Sequence, residues 1–218
     1  MAVTSTLITS TATGTYGVGN DLAGQASAAL IATGMVTQVS DNTATAGTTS
    51  ARTIVLKVES SLHYLQLVGV SSGSFNTNIL KVDGVTALAS GIMSAANNVT
   101  IRILHGTHSL CLAANTTTCT YYYALGDDEN WYAISGSVAY GPSSDSAISL
   151  AVFSVSNIRD SSNNSPMMQA IVYTGVTWVC TLVSVLGIQD SAYTNGSFYS
   201  DGTNNYMQIS STTQISDN

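Results

Sequence analysis

Short apolar segments alternate with turn-forming residues over most of the chain. The segments are rich in Val, Ile, Leu and Tyr and are separated by clusters of Gly, Asn, Ser and Asp, a pattern typical of antiparallel β-strands. We therefore expect a mainly β fold, either an antiparallel β-sandwich or a jelly roll. The pattern predicts about ten strands, over Thr53–Val58, 63–70, 78–82, 99–104, 119–125, 130–140, 147–156, Met168–Tyr173, 176–186 and 206–209.

The start of the chain has a different pattern. Residues 1–16 alternate small polar and apolar side chains, which favours an extended arm or an edge strand. The Ala-rich stretch 22–33 predicts one short N-terminal helix. Asn20 or Asp21 is in position to cap its start, and Gly34 follows its last turn.

A polar stretch over 40–50 separates these two patterns and predicts a linker. The expected organisation is an N-terminal arm, helix and linker over 1–50, followed by a β-sandwich domain over 51–218. Some later apolar runs lack clean alternation, as in 171–186, which indicates strands covered on both faces. A second copy of the chain is a common source of such a cover.

One uncharged stretch, 171–188, is long enough to cross a bilayer as a helix. Its β-branched and aromatic residues, with Thr and Ser between them, favour buried strands instead. The N-terminus carries no basic residue and no continuous apolar core, so we expect no secretory signal peptide.

The composition narrows the possible functions. Of 218 residues, only 8% are charged, whereas 31 are Ser and 28 are Thr, so the surface must consist mainly of hydroxyls, amides and glycine. The net charge of −7 leaves no basic patch to neutralise phosphates, which argues against nucleic-acid binding. So few titratable groups favour a binding or structural role over an enzyme.

A short pattern, Asp-x-x-Asn-x-Tyr, occurs at 127–132 and again 74 positions later at 201–206. It describes a tight turn that runs into a strand, because Asp and Asn tolerate turn geometry and the aromatic ring packs just after the reversal. Two independent turns would give the same repeat. The residues that define the two copies are Asp127, Asn130, Tyr132, Asp201, Asn204 and Tyr206.

The second copy, Asp-Gly-Thr-Asn followed by an aromatic strand, resembles a turn and strand common in surface proteins of tailed bacteriophages. These include head decorations, fibres and tail appendages. The copies depart from that motif at Asn205, where an aromatic residue is commoner, and at Asp128 and Glu129, where Gly-Thr is usual. The resemblance covers some two dozen residues. It implies a class of virion protein and transfers no binding or catalytic site.

A serine nucleophile is one candidate for chemistry. Residues 69–73 match the Gly-x-Ser-x-Gly elbow, with Ser71 as nucleophile and His105 or His108 as base. The elbow requires a helix directly after the serine, whereas 74–82 predicts a turn and another strand. We therefore expect no hydrolase site.

His105, His108, Cys111 and Cys119 are a second candidate, because these residue types can form a tetrahedral zinc site. In a strand, alternate residues point to opposite faces, so only a loop could gather all four. Polar histidines and buried thiols are the favoured interpretation. A disulfide between the two cysteines across a hairpin stays open, and Cys180 most simply fills core space.

Two other clusters are also better explained without a ligand. Residues 127–130 could help to hold Ca²⁺ but lack the calcium-loop spacing, so a solvated turn is favoured. Residues 17–26 lead into the helix like a phosphate loop, but Gln25 and Ala26 stand where Lys and Ser or Thr are required. We expect no cofactor.

The leading hypothesis is a virion structural protein of a tailed phage, made in the host cytoplasm and located on the exterior of the capsid or tail. Its partners would be itself, as a homo-oligomer, and other virion proteins, with neither nucleic acid nor membrane. The alternative is a carbohydrate-binding receptor module of a fibre or spike. Eleven tyrosines with abundant Asn and Ser suit either host glycans or a subunit interface.

Overall fold

A computed structural model gives the structure of the protein. The backbone is described for residues 4–71, 73–93, 100–105, 109–114, 118–125, 131–135, 138–140, 145, 147–148, 150–154, 168–173, 178–183, 197–200, 205–210 and 213–217. Side chains are described almost throughout residues 6–91, and beyond them at a few core positions and at His105, Tyr140 and Asp145.

The described chain contains one helix and eighteen strands. In chain order they are β1 Thr4–Thr9, α1 Gly17–Ala32, β2 Val36–Asp41, β3 Thr53–Val58, β4 Tyr64–Gly69, β5 Phe75–Leu80, β6 Ala87–Met93, β7 Thr100–His105, β8 Ser109–Ala114, β9 Thr118–Leu125, β10 Trp131–Ser135, β11 Val138–Tyr140, β12 Ala147–Ile148, β13 Leu150–Ser154, β14 Met168–Tyr173, β15 Trp178–Val183, β16 Ser197–Ser200, β17 Asn205–Ser210 and β18 Thr213–Asp217. The prediction of a mainly β fold with an N-terminal helix is confirmed.

The strands form four sheets, and every described strand pairing is antiparallel. One sheet has the order β2-β3-β4-β5-β6, and a larger one has the order β1-β7-β8-β9-β10-β11-β12. Two three-stranded sheets contain β13-β14-β15 and β16-β17-β18. Nearly all neighbouring strands are also consecutive in the chain, so most connections join a strand to the one beside it. The exception is β1. It pairs with β7, although the strands of the five-stranded sheet, β2 to β6, lie between them in the sequence.

The described residues of the stretch that is long enough to span a bilayer, 171–173 and 178–183, lie in strands. They belong to β14 and β15, which pair with each other from Met168 opposite Val183 to Tyr173 opposite Trp178. For these residues, the strand prediction made from the β-branched composition is confirmed. No helix in the described part of the chain is both long and apolar enough to cross a membrane.

The helix differs from its prediction at its start. It begins at Gly17 rather than near Leu22, and its N-cap position is Tyr16, which makes no side-chain capping bond. Asn20 therefore does not cap the helix. The end matches expectation, because Gly34 has a φ of +79°, the left-handed conformation that commonly follows a helix.

Buried residues of β1, α1 and β2 belong to the same core as the strands that follow. The predicted boundary at residue 50 lies within the loop between β2 and β3, and these two strands pair with each other. In β4, Leu65 and Leu67 point inward while Tyr64 and Gln66 point outward, as strand alternation requires. The buried cluster joins α1 to both large sheets, through residues that include Leu22, Ala26, Leu30, Ile54, Phe75, Ile103, Leu112 and Trp131.

Glycine lets α1 lie directly on the backbone of the β4–β5 turn. A Cβ added to Gly19 would overlap the carbonyl oxygen of Ser74 and crowd the backbone of Val70. A Cβ on Gly69 would overlap the Asn20 amide in the same way. Gly19 in the helix and Gly69 at the end of β4 thus allow close packing, so Gly19 has a structural role in a stretch that otherwise resembles a degenerate phosphate loop.

Gly19→Ala should lower the free energy of unfolding by about 1–3 kcal/mol, the cost of overpacking, although alanine normally stabilises a helix. The matched control is Gly47→Ala, since a Cβ there meets nothing within 4 Å. Urea unfolding measures both. Equal stability of the two variants would contradict the close approach of α1 to the turn.

Candidate functional site

Asn20 connects α1 to the β2–β3 loop and to β3. Its Nδ2 donates to the carbonyl oxygens of Gly47 and Ser50, the latter at 2.8 Å. Its Oδ1 accepts the backbone N–H of Arg52 at 2.8 Å. One amide side chain therefore satisfies three backbone groups that lie 27 to 32 positions away in the chain.

Arg52 makes the principal ion pair at this junction. Its Nη2 and Nε contact the two carboxylate oxygens of Asp41 at 2.6 and 3.1 Å, a two-pronged geometry that is among the stronger ion-pair arrangements. A Cβ on Gly24 would overlap Nη1 of Arg52, so the missing side chain on α1 makes room for the guanidinium. Hydrogen bonding from Arg52 holds the pKa of Asp41 below its usual value of 3.8.

A shallow cleft of about 260 Å³ lies between the start of α1 and the β2–β3 loop. The charged side chains that line it already have partners within the chain. Arg52 binds Asp41, and Asp21 accepts hydrogen bonds from Ser10 and Gln25. Its chemistry is therefore that of a packing junction. The lining residues are Ala12, Thr13, Gly17, Asn20, Asp21, Thr43, Ala46, Gly47, Thr48 and Arg52.

A buried histidine forms a second polar junction that the sequence did not reveal. His63 is 1% exposed, and its Nε2 lies 3.1 Å from Oδ1 of Asp145. The same carboxylate oxygen accepts the backbone N–H of Val82, and the Tyr140 ring lies edge-on to the imidazole with 6.0 Å between ring centres. These contacts join the five-stranded sheet to the region after β11. The 82-residue separation leaves no local signal in the sequence.

The serine-elbow geometry is not formed. Ser71 lies in the turn after β4, and the chain continues into β5 rather than into a helix. The turn is closed by hydrogen bonds from Val70 N–H to Ser74 O and from Gly73 N–H to Val70 O. This confirms the prediction of a turn and another strand after the serine.

The four candidate zinc ligands fall on and around β7, β8 and β9. His105 ends β7, whereas His108 lies outside the described residues. The strand register places Cys111 opposite Tyr122 and Cys119 opposite Ala113, so the two cysteines are offset along the ladder. Among the described residues, no group of three or more His, Cys, Asp or Glu side chains is placed to hold a metal.

Both copies of the Asp-x-x-Asn-x-Tyr motif connect paired antiparallel strands. The register joins Leu125 to Trp131 around the first copy and Ser200 to Asn205 around the second. In each case the motif tyrosine, Tyr132 or Tyr206, is the second residue of the strand that follows. The remaining motif residues, Asp127, Asn130, Asp201 and Asn204, lie outside the described residues.

β1 lies at the edge of the seven-stranded sheet. β1 pairs with β7 on one side, and no described residue pairs with its other side. Its sequence, Thr-Ser-Thr-Leu-Ile-Thr, has no charge and no proline. Leu7 is 54% exposed, while Ile8 points into the core. A regular, uncharged edge strand is a ready template for pairing with another strand.

Asn20→Asp should lower the free energy of unfolding by about 2–3 kcal/mol, because a carboxylate would face the Gly47 and Ser50 carbonyls without a proton to donate. Gln38→Glu is the matched amide-to-acid control, since Gln38 is exposed on β2. Chemical denaturation at neutral pH compares them. Equal losses would show that Asn20 does not hold the loop.

The Asp41–Arg52 pair predicts a pH effect with a definite sign. Because the folded-state pKa of Asp41 lies below 3.8, the pair stabilises the fold above that pH, and the contribution disappears as the pH falls through the folded-state pKa. Asp41→Asn should cost about 1–3 kcal/mol at pH 7, and its stability should approach that of the wild type as the pH falls below the folded-state pKa of Asp41. Arg52→Gln should likewise reduce the pH dependence of the free energy of unfolding over this acidic range. Parallel curves for wild type and Asp41→Asn would contradict this.

Comparison with known proteins does not assign the chain to a family. The chain matches no family model, no curated protein and no solved structure. A proposal for its function therefore depends on the geometry and surface chemistry of the molecule itself.

Proposed function

We propose that the protein is a virion structural component of a tailed phage, located on the exterior of the capsid or tail. It acts by self-association and by docking to the particle, with no chemical step. The observation that carries this proposal is the uncharged edge of β1 on a seven-stranded sheet, which no strand among the described residues covers. Such an edge is a hazard for a solitary protein and a means of assembly for a structural one.

The distribution of charge supports the same function. Most of the few described charged side chains bind groups of their own chain; they are Asp21, Asp41, Arg52, Lys57, Asp83 and Asp145. The exposed residues of β2, in contrast, are Thr37, Gln38, Val39 and Ser40. A surface of hydroxyls, amides and isolated apolar groups suits contacts that must tolerate changes in salt.

We also propose that the two large sheets form a β-sandwich rather than a jelly roll. Inward residues of both sheets, such as Leu67 and Leu112, belong to one buried cluster. The strand order is almost entirely consecutive, whereas a jelly roll requires Greek-key crossovers. The sandwich would present its sheet edges to neighbouring subunits.

The carbohydrate-binding alternative has less support from the described side chains. Sugar binding by stacking needs an open aromatic face. The Lys57 ammonium lies 4.1 Å from the centre of the Tyr64 ring, and Gly84 packs close to the same ring. Tyr123 is buried in the core. These rings contribute to packing.

Self-association and particle location test the proposal together. Sedimentation velocity should show species larger than the 22.5 kDa chain at micromolar concentration, largely unchanged between low and high salt. Antibody labelling in electron microscopy should decorate the outside of phage particles. A monomer at every concentration, absent from particles, would overturn the proposal.

A further inference from the structure

We propose that β1 is the surface through which two copies of this chain associate, by antiparallel pairing of β1 with β1 of the second copy. This inference rests on the proposed self-association and identifies its interface. It joins two seven-stranded sheets into one continuous sheet across a two-fold axis.

The other edges of the two large sheets are protected. β2 has a register shift between Gln38 and Ser40 and ends in Asp41, and both a bulge and a charge discourage pairing. β6 lies next to β9 and β10 of the other sheet. β12 is two residues long. β6 has seven residues and no charge, but its pairing with β5 shifts register between Ile79 and Leu80. Among these four edges, β1 alone is regular, uncharged and longer than two residues.

A second copy of the chain fits this edge better than a charged partner would. β1 offers no charge for an oppositely charged strand to recognise, and an uncharged strand can meet itself without repulsion. A two-fold axis perpendicular to the sheet leaves the inward residues of both copies on the same face of the joined sheet. The alternation of inward and outward residues therefore continues across the interface.

The exposed leucine selects the register. A two-fold axis centred on Leu7 places the two Leu7 side chains opposite each other and removes both from water. The same register pairs Thr6 with Ile8 of the second copy and Ser5 with Thr9. Threonine and β-branched residues are favourable cross-strand neighbours.

Leu7→Glu tests the interface while preserving the fold of each copy. Within the chain, Leu7 is paired in register with Arg102 of β7, so a single glutamate there is electrostatically compatible with the monomer. Two glutamates opposite each other across the two-fold axis would repel. The dimer dissociation constant should rise about tenfold or more, and circular dichroism and melting temperature should stay close to the wild type.

Val85→Glu is the matched control, because Val85 is 78% exposed and lies between β5 and β6. It should leave the dissociation constant within about twofold of the wild-type value. If the wild type associates but Leu7→Glu associates equally well, the β1 interface is wrong while self-association stands. If the wild type is monomeric throughout, both proposals fail.

Cysteine cross-linking gives a second, independent test of the register. Residues directly opposite in an antiparallel pair have Cα atoms about 4.5–5.5 Å apart, within disulfide range. Leu7→Cys should therefore form a covalent dimer on mild oxidation, above the background that the three native cysteines give in the wild type. Thr9→Cys should not exceed that background, because Thr9 pairs with Ser5. Equal cross-linking at both positions would overturn the register.

Discussion

The fold depends on the direct contact between the backbone of α1 and the turn that joins β4 to β5. Gly19 has no side chain, so the helix reaches the carbonyl of Ser74 at a distance that any other residue would prevent. This contact brings Asn20 against Gly69, where its amide satisfies the backbone of the β2–β3 loop. The polar junction stabilises the fold because one amide side chain provides hydrogen-bond partners for three backbone groups of the loop and of the start of β3.

The same helix holds β1 in place. Ser10, directly after β1, donates a 2.6 Å hydrogen bond to Asp21 of α1, and its Oγ accepts the N–H of Ala12. Ile8 packs into the core that α1 helps to form. β1 is therefore fixed on the sheet by its inner face and by its connection, while its outer edge carries no covering element in the described part of the chain. A rigid strand with an open edge loses little entropy when another strand pairs with it.

Local pattern predicted several elements with strong β composition. It missed β2 despite its two valines, and it predicted one strand over 130–140, where β10 and β11 pair with each other as antiparallel strands. Thr53–Val58 and Met168–Tyr173 are strands with the bounds that their branched residues indicate. β6 and β8, with sequences ALASGIM and SLCLAA, consist largely of residues with weak strand preference and become strands through their neighbours. The start of α1 was misplaced because Asn20 looks like a local cap, whereas its partners are distant in the chain. The contact between His63 and Asp145 is likewise non-local.

Hydrogen–deuterium exchange of β1 at increasing protein concentration tests the central claim most directly. In an antiparallel strand only alternate amides point to each neighbour, so β7 protects one set and leaves the other to the second copy. The outward amides of β1 should become protected as the protein associates, while those of β2 should exchange at an unchanged rate. Association without any change in the exchange of β1 would contradict it.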